Sequence, residues 1–432
     1  MIATVVSHDV CMYESGTWLS TRVLTTAAVF ALGAVFTTVP AQAEDTPSVP
    51  SSEMSMGTKL TTRLKNKAIG NDLAYVVMDA LSQRIVASKN GDKPMLPASN
   101  MKIITATNVL STMAPTKTFT TAVFPESTSG RVVLQGGGDP LLTKRNLKAL
   151  ATKVAALVDH SQPLIVDTDL NMFPEPTNGP GWTKRYIPSV VSPVTPLGIY
   201  GDYSRNPTDY AINTFITELN RLGIQTSRGI ELDVAADSIP LASISPHTVA
   251  DAVHIMLLDS ENNVAEILFR HVAIATLHPA TWQGAAEAAL ANLNALGLNT
   301  ANLRLADGSG LSRADRLTAI FLANVLRLVS TTDPTRFSVM FEPGSMPTSG
   351  VDGTLKAKFH RYTSAPSSCA KGNIRAKTGT LHDTITLSGT THDADGQLKV
   401  FSFLVNNRPT QVIPLRTRQA IDGLAATITG CW

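Results

Sequence analysis

Charge is scarce in this sequence. Only 16% of its residues are Asp, Glu, Lys or Arg, the net charge is +2, and no long basic run appears. The electrostatic footprint that nucleic-acid binding needs is therefore missing, and nucleic acid is excluded as a partner. With 43% hydrophobic residues the chain is nonetheless globular rather than disordered. Nine histidines are scattered along it. His254 falls within an amphipathic helical stretch, a structural position. No His/Cys/Asp cluster has metal-ligand spacing, so neither a metal nor a cofactor is expected. A Gly-x-Ser-x-Gly elbow is missing too, which removes one common histidine-based route to a reactive serine. The glycine run Gly136-Gly137-Gly138 is not followed by the Lys and Ser/Thr of a phosphate loop and is a turn.

Cysteine is also rare, with three in the chain. Cys11 lies in an N-terminal stretch that reads as a signal peptide. Arg22 precedes the apolar run Val23 to Val39, and Ala41-Gln42-Ala43 supplies a small-residue cleavage site. The alternative, a membrane anchor, needs about 20 apolar residues, and this run is shorter and broken by threonines and Gly33. Residues 1–43 are thus expected to be removed on export, to the periplasm or the cell exterior, with Met12 an alternative start. No stable membrane span then remains. Cys369 and Cys431 would be left, paired or as two free thiols; an exported chain favours pairing. The bridge would constrain the unfolded chain by about 4 kcal/mol in the loop-entropy model.

Residues 44–57 form a Ser/Pro/Thr-rich leader. Two hairpin strands are expected at Leu73–Asp79 and Arg84–Ser88, followed by a helix that Pro97-Ala98-Ser99 opens. From 118 to 205, strand-like pieces alternate with Gly and Pro clusters, which suggests an inserted β-rich domain. Helices dominate from 206 to about 330. Three strands (from Asn373, Asp383 and Leu398) and a closing helix (Val412 to Ile428) end the chain. The fold class is therefore α+β. Residues 58–117 and 206–432 would build one domain, its five-stranded antiparallel sheet covered by helices.

Three short motifs carry chemistry. In Ser99-Asn100-Met101-Lys102, serine and lysine stand three residues apart on one helical face. A serine needs a base, and a buried, neutral Lys102 can be one. Ser99 also occupies a first helical turn, where a free N–H can face an oxyanion. Ser368-Cys369-Ala370-Lys371 repeats the spacing in a loop, with no helix to align it. Ser260-Glu261-Asn262 falls between two helices. Ser260 could relay a proton there and Asn262 hold a substrate amide, or both could simply cap a helix. Ser-x-Asn recurs at Ser88 and Ser204 without that framing. Lys377-Thr378-Gly379-Thr380 ends a strand. It offers a fixed positive charge, a hydroxyl for a carboxylate, close backbone approach and a second oxyanion N–H, unless it is merely a solvated strand end.

In this order the triple resembles the penicillin-recognising serine enzymes. Asp259–Glu266, Asp307–Arg313, Gly350–Leu355 and Gly136–Pro140 narrow the resemblance to the low-molecular-mass class C penicillin-binding proteins, the D-alanyl-D-alanine carboxypeptidase/endopeptidase family. The resemblance implies a penicillin-binding-protein/β-lactamase-like domain and hydrolysis of the terminal D-Ala of peptidoglycan stem peptides through a Ser99 acyl-enzyme. Cleavage of cross-links and covalent inhibition by β-lactams are also implied. The long interval between Ser99 and Ser260 argues against a compact β-lactamase and allows one insert. The other readings are a β-lactamase and a non-catalytic wall-binding protein. Arg313-Ala314-Asp315 lacks the asparagine often found after that arginine.

Overall fold

The computed structural model describes residues 51–174 and 178–432. The expected signal peptide and the first part of the leader lie outside the described residues. In chain order the structure forms α1 (Ser51–Arg63), β1 (Leu73–Asp79), β2 (Ile85–Lys89) and α2 (Met101–Thr112). Next come β3 (Thr121–Pro125), β4 (Arg131–Gln135), α3 (Lys144–Ala155), β5 (Leu164–Asp169), α4 (Pro207–Arg221), β6 (Thr226–Glu231) and β7 (Ala242–Ile244). The remainder supplies α5 (Val249–Leu258), α6 (Asn262–Ala275), α7 (Trp282–Ala295), α8 (Ala319–Arg327) and α9 (Pro334–Phe337). β8 (Ile374–Thr380), β9 (Ile385–His392), β10 (Leu398–Val405) and α10 (Pro414–Ile428) follow.

The first sheet has the order β2-β1-β10-β9-β8, antiparallel throughout. As expected, two N-terminal strands join three C-terminal ones. Every residue of β1 is buried because both faces are covered. Ala74, Val76 and Met78 face a core shared with α2, α5, α6 and α8. Leu73, Tyr75 and Val77 face a second core shared with α1 and α10. This is the two-residue period of a strand, with apolar side chains on both faces. Each such side chain contributes about 1.5–3 kcal/mol of burial, so a charge at Val76 would break the layer. β8 lies at the sheet edge, leaving one side of Lys377-Thr378-Gly379-Thr380 open to the cleft.

A second sheet, β6-β5-β4-β3-β7, falls between α2 and α5. The sequence suggests a β-rich insert ending at 205. In the structure the sheet continues to Ile244, and an isolated bridge between Thr118 and Thr248 brings its two ends together. It is also mixed, since β4–β5 and β5–β6 pair in parallel. Parallel pairs need crossovers, which α3 and α4 supply while burying Leu147, Leu150, Phe215 and Leu219 on the sheet. The difference has a physical source. β6 is a polar, largely exposed edge strand without the alternation that marks a half-buried one.

The leader assignment also shifts. α1 starts at Ser51, and it buries Met56 and Leu60 while its Glu53 pairs with Lys399. Tertiary contacts thus order a stretch whose composition alone favours flexibility. Cys369 and Cys431 are joined in a disulfide that ties the loop before β8 to the end of α10.

Candidate active site

Ser99 sits in a short 3-10 turn, Ala98–Asn100, that runs directly into α2. Ala98 before it has φ +46°, the left-handed region a non-glycine residue rarely adopts. Close packing holds that strained turn. A Cβ at Gly310 would lie 1.8 Å from Ala98 O. One at Gly379 would lie 3.0 Å from Ser99 N and 2.1 Å from Thr386 Oγ1. Both glycines are therefore required by close approach, Gly379 for the reason the motif suggested. The Asn100 amide bridges Ser388 Oγ (2.5 Å) and Thr386 Oγ1 (2.8 Å), and Thr386 Oγ1 donates to Pro97 O (2.9 Å). β9 thus fixes the serine turn from below.

Lys102 is fully buried. Its Nζ lies 3.1 Å from Ser99 Oγ, 2.8 Å from Asn262 Oδ1 and 3.0 Å from Ser309 O. Two of these partners are carbonyl oxygens that can only accept; the third is a hydroxyl that can donate or accept. A neutral amine satisfies all three: two N–H groups donate to the carbonyls, and the lone pair accepts the Ser99 hydroxyl proton. Burial pushes the Lys102 pKa down to about 8, against the opposing pull of Glu266, Asp307 and Glu261. Such a hydrogen bond is the geometry that activation of a serine hydroxyl by a neighbouring amine requires.

Across the cleft, the buried Lys377 Nζ donates to Ser260 Oγ (2.8 Å) and Thr378 O (2.9 Å). Burial, and then the charge of Lys102, holds its pKa well below the ordinary lysine value. The fixed charge expected here is therefore conditional, because two buried ammonium groups so placed disfavour each other. Ser260 has φ +63° and is presented from the turn between α5 and α6. Asn262 Nδ2 donates to Val190 O (2.8 Å), which uses one of its two N–H groups and leaves the other for a substrate carbonyl. Thr378 Oγ1 donates to Thr354 Oγ1 (2.7 Å). Thr380, exposed at the strand end, accepts from Arg418 Nη2 (3.3 Å).

The structure therefore brings the three motifs together around one cleft. The competing Ser368–Lys371 match lies elsewhere, in the disulfide loop beside Cys369. Among the described residues no group of His, Cys, Asp and Glu could hold a metal ion.

Sequence reasoning assigned no role to a buried acidic group behind Lys102. Glu266 accepts from the backbone N–H groups of Gly308 (2.8 Å) and Ser309 (2.9 Å), and so holds the carbonyl of Ser309 against Lys102. Burial, then Asp307, pushes Glu266 up to about 8. Asp307 accepts from Trp182 Nε1 (2.8 Å), Gly310 N (2.7 Å) and Ser312 N (2.6 Å). Asp315 is raised well above the carboxylate range by burial and by Asp307. A signal was available: Glu266 stands one helical turn after Asn262, on the same face.

The segment before α4 was missed as a cleft wall. Trp182, Val190 and Ser192 reach Asp307, Asn262 and Asn263 respectively. No sequence pattern announces such long-range contacts.

Comparisons with known proteins bear on the family and the fold. The model of the D-Ala-D-Ala carboxypeptidase 3 (S13) family matches residues 56–203 and 201–428. The chain is 29% identical over 381 residues to a carboxypeptidase of Mycobacterium tuberculosis, covering 83% of this chain and 80% of the relative. It is 26% identical to a D-alanyl-D-alanine carboxypeptidase of an Actinomadura strain, covering 82% and 81%. Penicillin-binding protein 4 of Haemophilus influenzae has the same fold, with a TM-score of 0.73 at 20% identity over 86% of this chain and 98% of that one.

Proposed function

The chain belongs to the D-Ala-D-Ala carboxypeptidase 3 (S13) family, and from that premise we propose that Ser99 is its nucleophile and Lys102 its general base. It is a serine-type D-Ala-D-Ala carboxypeptidase, a low-molecular-mass class C penicillin-binding protein that acts on peptidoglycan stem peptides. The observation that carries the assignment is Lys102: a buried amine 3.1 Å from Ser99 Oγ, touching no carboxylate among the described residues and lowered by burial to a pKa of about 8, so that its neutral form can accept the serine proton.

In the proposed mechanism Ser99 Oγ attacks the carbonyl carbon of the penultimate D-Ala while its proton passes to Lys102. The backbone N–H groups of Ser99 and Thr380 take the developing oxyanion, which preorganised donors stabilise without reorientation. The remaining N–H of Asn262 holds the substrate amide. Ser260, hydrogen-bonded to Lys377, relays to the leaving nitrogen the proton that Lys102 took from Ser99, which returns Lys102 to its neutral form. Free D-Ala departs, leaving an ester on Ser99. Water, deprotonated by Lys102, then hydrolyses that ester. Thr378 and Thr380 anchor the terminal carboxylate, and Gly379 allows the strand to approach Ser99. A β-lactam presents the same amide in a ring, so its leaving group stays attached and the acyl-enzyme persists; such compounds are covalent inhibitors. The same chemistry cuts a cross-link when the leaving amine belongs to a second stem.

Peptidoglycan lies outside the cytoplasmic membrane, so we assign the mature enzyme to the periplasm or cell wall, with 1–43 as its export signal. Among the described residues no helix is long and apolar enough to cross a membrane.

Intact mass of residues 44–432 mixed with penicillin, beside Ser99→Ala, tests the reading. A long-lived adduct lost in the variant, together with D-alanine release from a stem peptide, is expected. Rapid clearance with penicillin turnover would make the protein a β-lactamase. Neither adduct nor turnover would make it a wall-binding protein.

A further inference from the structure

Arg418 lies in the second turn of α10, and its Nη2 donates to Thr380 Oγ1 at 3.3 Å. The side chain is half-buried at the open end of β8. Among the described residues no carboxylate lies in salt-bridge contact with it, although the charge of Asp422 reaches it.

The acids nearby are already engaged. Arg361 holds Asp422 through two hydrogen bonds, 2.6 and 2.5 Å. Arg313 holds Asp383 the same way, 2.7 and 2.8 Å. Arg408 spends its guanidinium on the carbonyls of His382, Pro409 and Val412. Asp422, the carboxylate whose charge reaches Arg418, already takes two hydrogen bonds from Arg361. Partial burial, then the charges of Arg361 and Arg408, lowers the Arg418 pKa.

The start of α10 adds to the imbalance. A helix N-terminus favours acidic side chains, yet the first turn of α10 has none, and Arg416 and Arg418 follow. Uncompensated positive charge is thus concentrated beside Thr380. By strand alternation Thr380 shares a face with Thr378, so a carboxylate accepting from both threonine hydroxyls would lie within reach of the guanidinium.

We propose that Arg418 binds the free carboxylate of the substrate's leaving residue, together with Thr378 and Thr380, and so selects peptides that end in an acid. The proposal rests on the carboxypeptidase reading. It extends the anchor to an element, α10, that lies outside the three motifs. Arg418 takes no part in the bond-making steps; a planar guanidinium can grip a carboxylate with two N–H groups where a hydroxyl offers one.

The test compares two peptides, a diacyl-L-Lys-D-Ala-D-Ala acid and its C-terminal carboxamide, with wild type, Arg418→Gln and Arg418→Lys. Arg418→Gln should lower kcat/KM for the acid by about 10- to 100-fold, the size of a hydrogen bond to a charged group, chiefly through KM. The carboxamide should be cut at nearly the wild-type rate, and Arg418→Lys should restore part of the preference. An equal loss on both peptides, or no loss on either, in a variant with an unchanged melting temperature would overturn the proposal. Acylation by penicillin G against its methyl ester gives the same acid-to-neutral ratio through covalent label. If wild type releases no D-alanine, the carboxypeptidase reading fails on its own, while the ratio still decides the role of Arg418. If the Gln variant does not fold, the Lys variant decides: a fall on the acid compounds with the neutral ones unchanged, in both assays, supports carboxylate recognition by the guanidinium, and an unchanged acid preference or an equal fall on acid and neutral compounds overturns it.

Discussion

Two regions of this molecule bury lysines, and they do so in opposite ways. Lys399, on β10, is enclosed with three carboxylates: Glu53 (3.0 Å), Asp79 (2.6 Å) and Asp393 (3.0 Å). Burial alone would lower its pKa, but hydrogen bonds to Asp79, Asp393 and Glu53 more than offset that and raise it. Among the described residues, the hydrogen bonds of Lys102 and Lys377 go to hydroxyl and carbonyl oxygens, and burial lowers both pKa values. The same residue type is thus a locked cation in one place and, in the proposed mechanism, a proton acceptor in the other. Desolvation is common to both; the contacting acids differ. A buried lysine surrounded by acids joins α1 to the sheet, whereas one surrounded by neutral oxygens is available for chemistry.

The comparison breaks most sharply at Lys102. Lys102→Met should slow acylation of Ser99 by about 10²–10⁴-fold, the range for loss of a positioned base, with the fold retained by circular dichroism. Lys399→Met should do the reverse. Removing one member of a buried ionic cluster costs about 3–5 kcal/mol, read as a lower urea midpoint, while acylation per folded molecule stays at the wild-type rate. If Lys399→Met instead slowed acylation as much as Lys102→Met, the two sites would not be distinct in kind.

Smaller changes sharpen the same line. Cys369→Ser should cost about 2–4 kcal/mol of stability, because it opens the bridge to Cys431, and should leave acylation unchanged. Gly379→Ala should act mainly on activity. Its Cβ would lie 3.0 Å from Ser99 N and 2.1 Å from Thr386 Oγ1, and a shift of the nucleophile by a fraction of an ångström should lower kcat/KM by roughly tenfold to a hundredfold. A Gly379→Ala enzyme with wild-type kcat/KM would show that β8 need not approach so closely.

Much of the first sheet was legible because its signals are local. β1 is an apolar run and β10 one interrupted only by Lys399 and Ser402, α2 opens with a proline turn, and the three motifs lie at element ends where side chains can converge. That is why Ser99, Lys102, Ser260, Asn262 and Lys377 could be picked as candidates, and the structure brings each of them within hydrogen-bond reach of another. The rest depends on contacts distant in sequence. β6 escaped notice because an exposed edge strand needs no apolar face. α1 extends back to Ser51 because Glu53 finds Lys399, more than three hundred residues later. Glu266 and Asp307 stood inside quoted motifs, yet only their burial beside Lys102 gives them a part in its electrostatics. Arg418 belongs to no motif, and its contact with Thr380 is visible only in three dimensions.

The most direct test of the central claim, that a neutral Lys102 activates Ser99, is the pH dependence of the acylation rate constant with penicillin between pH 6 and 10. Lys102 must lose its proton to act, and its pKa is depressed to about 8. The rate should therefore rise about tenfold per pH unit below that value and level off above it. A rate independent of pH from 6 to 9, or one that falls as pH rises through that range, would contradict the account.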